Sequence, residues 1–242
     1  MAADMADAPS ICIIVVTRNC EELISGTLDS LYSQEEADWR LVAIDGASSD
    51  ATCARFRRTL RPRDTLISEP DRGIYDAMNR GISLTQPGEF CLFINAGDRL
   101  HGKQSLRLAQ AKLAENRADL HLFAWWTNEG LRLPSAESIY NLPACHQAII
   151  YRSDLLREHP FDLRYRYCAD FDQFLRLRAG GARVATHEEV VLSYFNGDGL
   201  TSRNRGAVIR EQYRVNVLRH GRLLASAWLL RRFARLSTAL RG

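Results

Sequence analysis

Ile11-Cys12-Ile13-Ile14-Val15-Val16 is an unbroken apolar run with no polar residue at alternate positions. A strand written this way must be covered on both faces. Further strand-like runs occupy residues 40–44, 65–68 and 89–94. Helical spacing fills the gaps. Leu23, Ile24, Leu28, Leu31 and Tyr32 recur at helical intervals in the first gap. Ser48, Ser49 and Asp50 offer caps for a helix through residue 60, and residues 73–84 read as a third helix. Strand and helix in strict alternation predict a parallel sheet with helices on both faces.

Two of the runs lead to carboxylates. Asp45 closes one, and Asp98 follows another in Phe93-Ile94-Asn95-Ala96-Gly97-Asp98. In open α/β sheets, ligands bind beyond the carboxyl ends of the strands, so both acids are candidates for a ligand site. Asp45-Gly46 is equally a turn signal. No G-x-G-x-x-G follows the first strand, which disfavours the usual dinucleotide site. The second half is less regular. It suggests helices at 103–116 and 169–178, strands at 119–126 and 148–151, one or two strands within 183–195, and helix from 206 onward.

A third acidic cluster, Ala169-Asp170-Phe171-Asp172, opens a helix. Its two acids are about 200° apart around the axis, so both cannot face one site. Asp170 lies at the helix start, where the partial positive charge favours an ionised carboxylate. Helix-start stabilisation alone would explain either acid. Asp71 and Gly73 stand at the N-terminus of the third helix and could approach a diphosphate or ribose, a reading compatible with Asp71 as a cap. Trp125-Trp126 offers a sugar-stacking platform or simple packing. His146 could bond a substrate or, as the lesser alternative, a metal; a structural hydrogen bond is the plain reading.

Apolar residues make up 46% of the chain, enough for a real core. The six cysteines form no C-x-x-C pair, which argues against zinc and suits a reducing compartment. Residues 1–10 lack an apolar signal core, so a cytoplasmic protein is expected. Residues 203–242 carry ten Arg against one Glu in a chain of net charge +3, which leaves the remainder at −6. Leu229, Phe233, Leu236 and Leu240 follow i, i+4, i+7, i+11, with Arg231 and Arg235 opposite. Such a basic amphipathic helix suits an anionic membrane surface. The alternative is a helix packed on the domain with its arginines exposed. Nucleic-acid binding lacks any matching motif.

Longer motifs carry a resemblance. Ile13-Ile14-Val15-Val16-Thr17-Arg18-Asn19, Asp45-Gly46-Ala47-Ser48-Ser49-Asp50 and Glu69-Pro70-Asp71-Arg72-Gly73-Ile74-Tyr75-Asp76-Ala77-Met78-Asn79-Arg80-Gly81 resemble family 2 glycosyltransferases. Asn95-Ala96-Gly97-Asp98, Cys145-His146-Gln147-Ala148 and Ala169-Asp170-Phe171-Asp172 fit the same pattern in order. The likeness covers residues 10–200 and is strongest to the bacterial exopolysaccharide branch that includes colanic acid glycosyltransferases. It implies a GT-A fold: a Rossmann-like, mostly parallel sheet with flanking helices. The glycosyltransferase domain would span 1–200, with a nucleotide-binding half over about 10–100 and an acceptor half over 101–200. A basic helical extension would fill 201–242.

The resemblance further implies a nucleotide-sugar donor, Mg²⁺ or Mn²⁺, and inversion at the anomeric carbon. By position, Asp45 would accept a hydrogen bond from the base, and Thr17 and Asn19 would line the nucleotide pocket. Asp98 would be the metal carboxylate and Asp170 the general base. His146 and Asp172 are candidate substrate contacts, and Tyr75 and Asp76 would stand behind the site. Three departures appear: Val16 replaces a common Pro, the metal motif keeps one Asp of two, and Ala169 replaces the Glu of a Glu-Asp pair. The implied activity is sugar transfer to a hydroxyl of a polyprenyl-diphosphate-linked glycan, by a peripheral protein on the inner face of the membrane. Rival readings are a non-catalytic scaffold of the same fold and a sugar nucleotidyltransferase. The latter would need a basic, Gly-rich triphosphate loop, which Thr17-Arg18-Asn19-Cys20 is not.

Overall fold

A computed structural model describes residues 9–197 and 200–239. The first apolar run forms β1 (Ile11–Thr17), buried at every position. After it come α1 (Glu21–Tyr32), β2 (Trp39–Asp45), α2 (Thr52–Thr59), β3 (Thr65–Ser68), α3 (Ile74–Ser83) and β4 (Phe90–Phe93). β1 pairs in parallel with β2 and β4, and β2 with β3. The expected alternating parallel half is therefore present. Its register pairs Thr17 with Asp45 and Asp45 with Ser68, so three strands end level. α3 lies close on β1. A Cβ at Gly81 would stand 2.5 Å from the Ile14 side chain, so only glycine allows this approach.

The second half holds β5 (Arg99–Leu100), α4 (Ser105–Glu115), β6 (Leu120–Thr127), β7 (Gly130–Arg132), a 3₁₀ turn (His146–Ala148), β8 (Ile149–Arg152), α5 (Ser153–Glu158), α6 (Ala169–Ala179) and β9 (Val184–Phe195). The strand order is β3-β2-β1-β4-β8-β6-β9-β5, with β7 paired to β6. Past β4 the directions are mixed. β8 runs antiparallel to both β4 and β6, whereas β6 and β9 are parallel. Connection type explains the difference. No α-helix lies between β6 and β8, but α5 and α6 separate β8 from β9 and supply a crossover. Residues 184–195 form one strand, with a bulge where Phe123 pairs with His187 but Ala124 pairs with Val191.

The chain ends in α7 (Leu200–Arg203), α8 (Arg205–His220) and α9 (Arg222–Ala239). α9 packs back on α8 through buried Ala225 and Trp228, with a Tyr213–Ser226 hydroxyl contact of 3.2 Å. Of the expected apolar stripe, only Leu229 has a described side chain. Leu229, its first member, is half-buried, while Leu223 and Leu230 are 85% and 71% exposed. Leu240 and the side chains of Phe233, Arg235 and Leu236 lie outside the described residues. No helix among the described residues is long and apolar enough to cross a membrane.

Candidate active site

A cavity of about 770 Å³ opens beyond the ends of β1 and β4. Val16 and Thr17 of β1, the start of α3, the 95–98 turn, residues 145–147 and residues 195–197 form its wall. Leu23, expected in the buried stripe of α1, is half exposed and lines this cavity instead.

Asp98 sits in the turn after β4, with its carboxylate almost wholly buried. Burial pushes its pKa up to about 6, against the lowering effects of the Gln147 amide and the Asn196 N–H. Gln147 Nε2 donates to Oδ2, and Thr27 Oγ1 holds the Asp98 carbonyl at 2.8 Å. Asn95, in the same turn, lines the cavity with a buried Oδ1 that has no hydrogen-bond partner. A buried oxygen left unpaired calls for a ligand, an ion or water. Asp98 and Asn95 thus offer two hard oxygen donors. Among the described residues, no group of three or more His, Cys, Asp or Glu could hold a metal by itself. The pair fits a Mg²⁺- or Mn²⁺-like ion that completes its shell with phosphate oxygens and water.

Asp170 stands in the first turn of α6, as expected. Its Oδ1 accepts from the Tyr75 hydroxyl at 3.0 Å and from the Phe171 N–H at 2.8 Å. Its Oδ2 lies 4.0 Å from His146 Nδ1, too far for a hydrogen bond. Oδ2 therefore keeps its lone pairs. Burial raises the Asp170 pKa to about 6, while the Phe171 and Tyr75 donors oppose the rise. Tyr75 and His146 both line the cavity; Asp170 itself is not in its wall but stands directly behind these two, with its side chain 19% exposed. Burial also lowers the His146 pKa to about 4, which makes the ring neutral at pH 7. Neither ring nitrogen has a partner. The 3₁₀ turn is the hinge of the arrangement: its consecutive residues His146 and Gln147 meet Asp170 and Asp98, respectively.

At the other end, Thr17 lines the cavity and donates to Asp45 Oδ1 at 3.1 Å. Asp71 and Gly73 also line it, and Asp71 Oδ1 accepts from the Gly73 N–H at 2.8 Å. Gly73 has φ +123° and ψ 176°, a conformation open essentially to glycine alone, and it starts α3 at the cavity wall. Two of the expected nucleotide contacts lie off the cavity wall. Asp45 is fully buried and does not line the cavity. Its oxygens take donors from Thr17, Ser48, Cys53 and Ser68, so a base reaching it would have to displace one of them. The level strand ends supply the Thr17 and Ser68 hydroxyls. Asn19 also lies off the wall. Its Oδ1 accepts from the Ser49 N–H at 2.9 Å, which clamps the loop after β1 to the loop after β2.

Asp172 is likewise not brought to the cavity. It is fully buried, and Arg219 Nη2 at 2.6 Å and Arg176 Nε at 3.0 Å hold its two oxygens. The half-turn separation from Asp170 sends it to the α8 side, where it fastens the C-terminal helix. Ala169, at the position of the missing Glu, is fully buried in the core. Trp125 and Trp126 are not in the cavity wall; Trp125 packs on the core and Trp126 stacks with His101. Sequence reasoning passed over three guanidiniums. Arg18, Arg166 and Arg203 all line the cavity and give its acidic floor a basic rim. Arg18 lies within a quoted motif, but only tertiary folding brings Arg166 and Arg203 beside it.

Residues 12–162 match the family model described as glycosyl transferase family 2. The chain belongs to that family. The match includes Asp71, Asp98 and the 3₁₀ turn and stops short of Asp170, and it favours a glycosyltransferase over the nucleotidyltransferase reading. PGL/p-HBAD biosynthesis glycosyltransferases of Mycobacterium bovis and Mycobacterium tuberculosis are 33% identical over 206 residues, covering 79% of this chain and 78% of theirs. Among solved structures, the mannosyltransferase PcManGT from Pyrobaculum calidifontis, in complex with GDP-Man and Mn²⁺, superposes with a TM-score of 0.71 at 20% identity. That match covers 94% of this chain and 72% of that one. S. aureus TarS in complex with UDP-GlcNAc gives 0.68 at 21% identity, over 87% and 67% of the two chains. The chain spans only 40% of a longer solved TarS chain. These likenesses identify the fold as GT-A.

Proposed function

We propose that this glycosyltransferase moves a sugar from a nucleotide-sugar donor to an acceptor hydroxyl, with inversion, and that Asp170 is the base. One observation carries the reading: a single 3₁₀ turn in the cavity wall sets His146 against Asp170 and Gln147 against Asp98. The acceptor oxygen attacks the anomeric carbon, its proton passes to Asp170 Oδ2, and the nucleoside diphosphate leaves with the bonding pair. A base of pKa about 6 is ionised at neutral pH yet still basic enough to help, a gain of roughly 10²–10⁴-fold. Neutral His146 can hydrogen-bond the sugar or acceptor. Arg18, Arg166 and Arg203 are suited to the diphosphate. Thr17, Asp71 and Gly73 would shape the nucleotide end, and Asp45 would act there mainly by fixing the strand ends. Asp98 and Asn95 would hold Mg²⁺ or Mn²⁺, which when bound neutralises charge on the leaving diphosphate.

We further propose a lipid-linked glycan acceptor in bacterial exopolysaccharide assembly, reached from the cytoplasmic face of the membrane. Exposed Leu218, Leu223 and Leu230 on the Arg-rich helices support membrane contact.

Calorimetry with UDP-, GDP- and dTDP-sugars, with and without Mn²⁺, tests the core of this reading. One donor class should bind in a metal-dependent way, and Asp98→Ala should lose that dependence. Asp170→Asn should bind the same donor within a few-fold and turn over at least a hundredfold more slowly. Full turnover in Asp170→Asn would remove the base assignment. A folded protein that bound no donor would favour the scaffold alternative.

A further inference from the structure

A second cavity, of about 1000 Å³, lies between the 137–141 loop and helices α8 and α9. Ile139, Ile209, Leu224 and Trp228 give it apolar walls. Ile139 and Leu224 are 47% and 48% exposed, so apolar surface from two separate elements borders one open space. Apolar surface gathered around one concavity can receive an apolar ligand group.

The walls are fixed. Gln212 Nε2 donates to the Tyr140 carbonyl at 3.2 Å and to Asn141 Oδ1 at 2.9 Å. His220 Nε2 lies 2.8 Å from the Ile139 carbonyl oxygen. The groove is also cationic. Arg205, Arg231 and Arg232 line it, against Glu137 as its single acid. Arg232 donates to Gln212 and sits 5.5 Å from the Trp228 ring centre. Arg205 and Arg231 are exposed. Finally, the groove adjoins the first cavity, because Phe195 and Gly197 line both. The intervening Asn196 N–H points to Asp98 Oδ1 at 3.4 Å.

We infer that this groove binds the body of the acceptor, an amphiphile that joins an apolar chain to a phosphate. The apolar chain would cover Ile139, Ile209, Leu224 and Trp228. Guanidinium groups recognise phosphate through paired, charge-assisted hydrogen bonds, which suits Arg205 and Arg231. The hydroxyl end would then emerge at Phe195 and Gly197, beside the donor. The inference rests on the transferase reading above.

The test uses the full chain and dodecyl phosphate below its micellar concentration, followed by calorimetry. Dodecyl maltoside and inorganic phosphate separate the apolar and anionic contributions. Dodecyl phosphate should bind at least tenfold tighter than either. Arg205→Ala combined with Arg231→Ala should weaken it at least tenfold, as should Ala227→Trp, which fills the groove. All three positions are exposed, so the variants should fold, and unchanged nucleotide-sugar binding in the same samples would verify this. Absent dodecyl phosphate binding, or binding insensitive to these variants, would overturn the inference. If donor binding survived in that case, the transferase reading would stand without it.

Discussion

Glu211, on α8, is the strongest test of how the C-terminal helices serve the site. Its carboxylate accepts from three consecutive backbone N–H groups: Arg166 at 2.9 Å, Tyr167 at 2.6 Å and Cys168 at 2.7 Å. These residues immediately precede α6 and Asp170. Replacing Glu211 with Ala removes three charge-assisted bonds, each worth about 1.5–3 kcal/mol. The Arg166 contact is exposed, so water can replace it, and the other two are only partly buried. A net loss of about 3 kcal/mol follows from counting those two at the low end of that range. At roughly 2–4 °C per kcal/mol for a chain of this size, Tm should fall by about 6–12 °C. Turnover should fall as well, because the segment leading into Asp170 loses its anchor. Glu211→Gln separates geometry from charge. Its amide oxygen can keep some of the bonds, while the negative charge that raises the Asp170 pKa is gone. A lower base pKa leaves more of Asp170 ionised in acid, so the acidic limb of kcat/KM should move to lower pH. A Tm loss below about 2 °C in Glu211→Ala, a fraction of the bond energy above, together with unchanged turnover would refute the reasoning.

Three other outcomes can be measured directly. Tyr75→Phe removes a hydrogen bond that favours ionised Asp170, so the acidic limb should shift to higher pH with donor affinity unchanged; an unmoved profile would separate Tyr75 from the base. His121 Nδ1 and His187 Nε2 stand 3.0 Å apart in the core, and burial first, then His187, lowers the His121 pKa from 6.5 to about 4. The unfolded chain then binds protons that the folded chain resists, so stability should hold above pH 6.5 and fall by up to about 3 kcal/mol toward pH 4, with His121→Leu flattening that slope in denaturant titrations. Leu223→Ser combined with Leu230→Ser should release the protein from anionic vesicles in a sedimentation assay without changing Tm, and retained binding would dismiss these leucines as membrane contacts.

The sequence by itself determined the parallel half. Runs such as 11–16 are apolar at every position because both faces of β1 are covered, and burial of a face is written in local periodicity. Gly73 was legible as a helix start, and Asp170 as the acid in the first turn of α6, for the same local reason. Local pattern also placed Asp45 at a strand end, but not what fills its oxygens there. Tertiary structure alone decided that Ser48, Ser68 and Cys53 would converge on it. It alone decided the partners of Asp170 and Asp172: Tyr75 lies 95 residues from the first, and Arg219 lies 47 from the second. The antiparallel insertion of β8 brings the 3₁₀ turn before it to Asp98 and Asp170, and no periodicity in residues 145–152 encodes that placement. The basic tail shows the division most clearly. Its composition suggested a surface helix, but α8 uses Glu211 and Arg219 to fasten α6 and the segment before it, because a contact between distant segments depends on where the chain folds back rather than on the spacing within either.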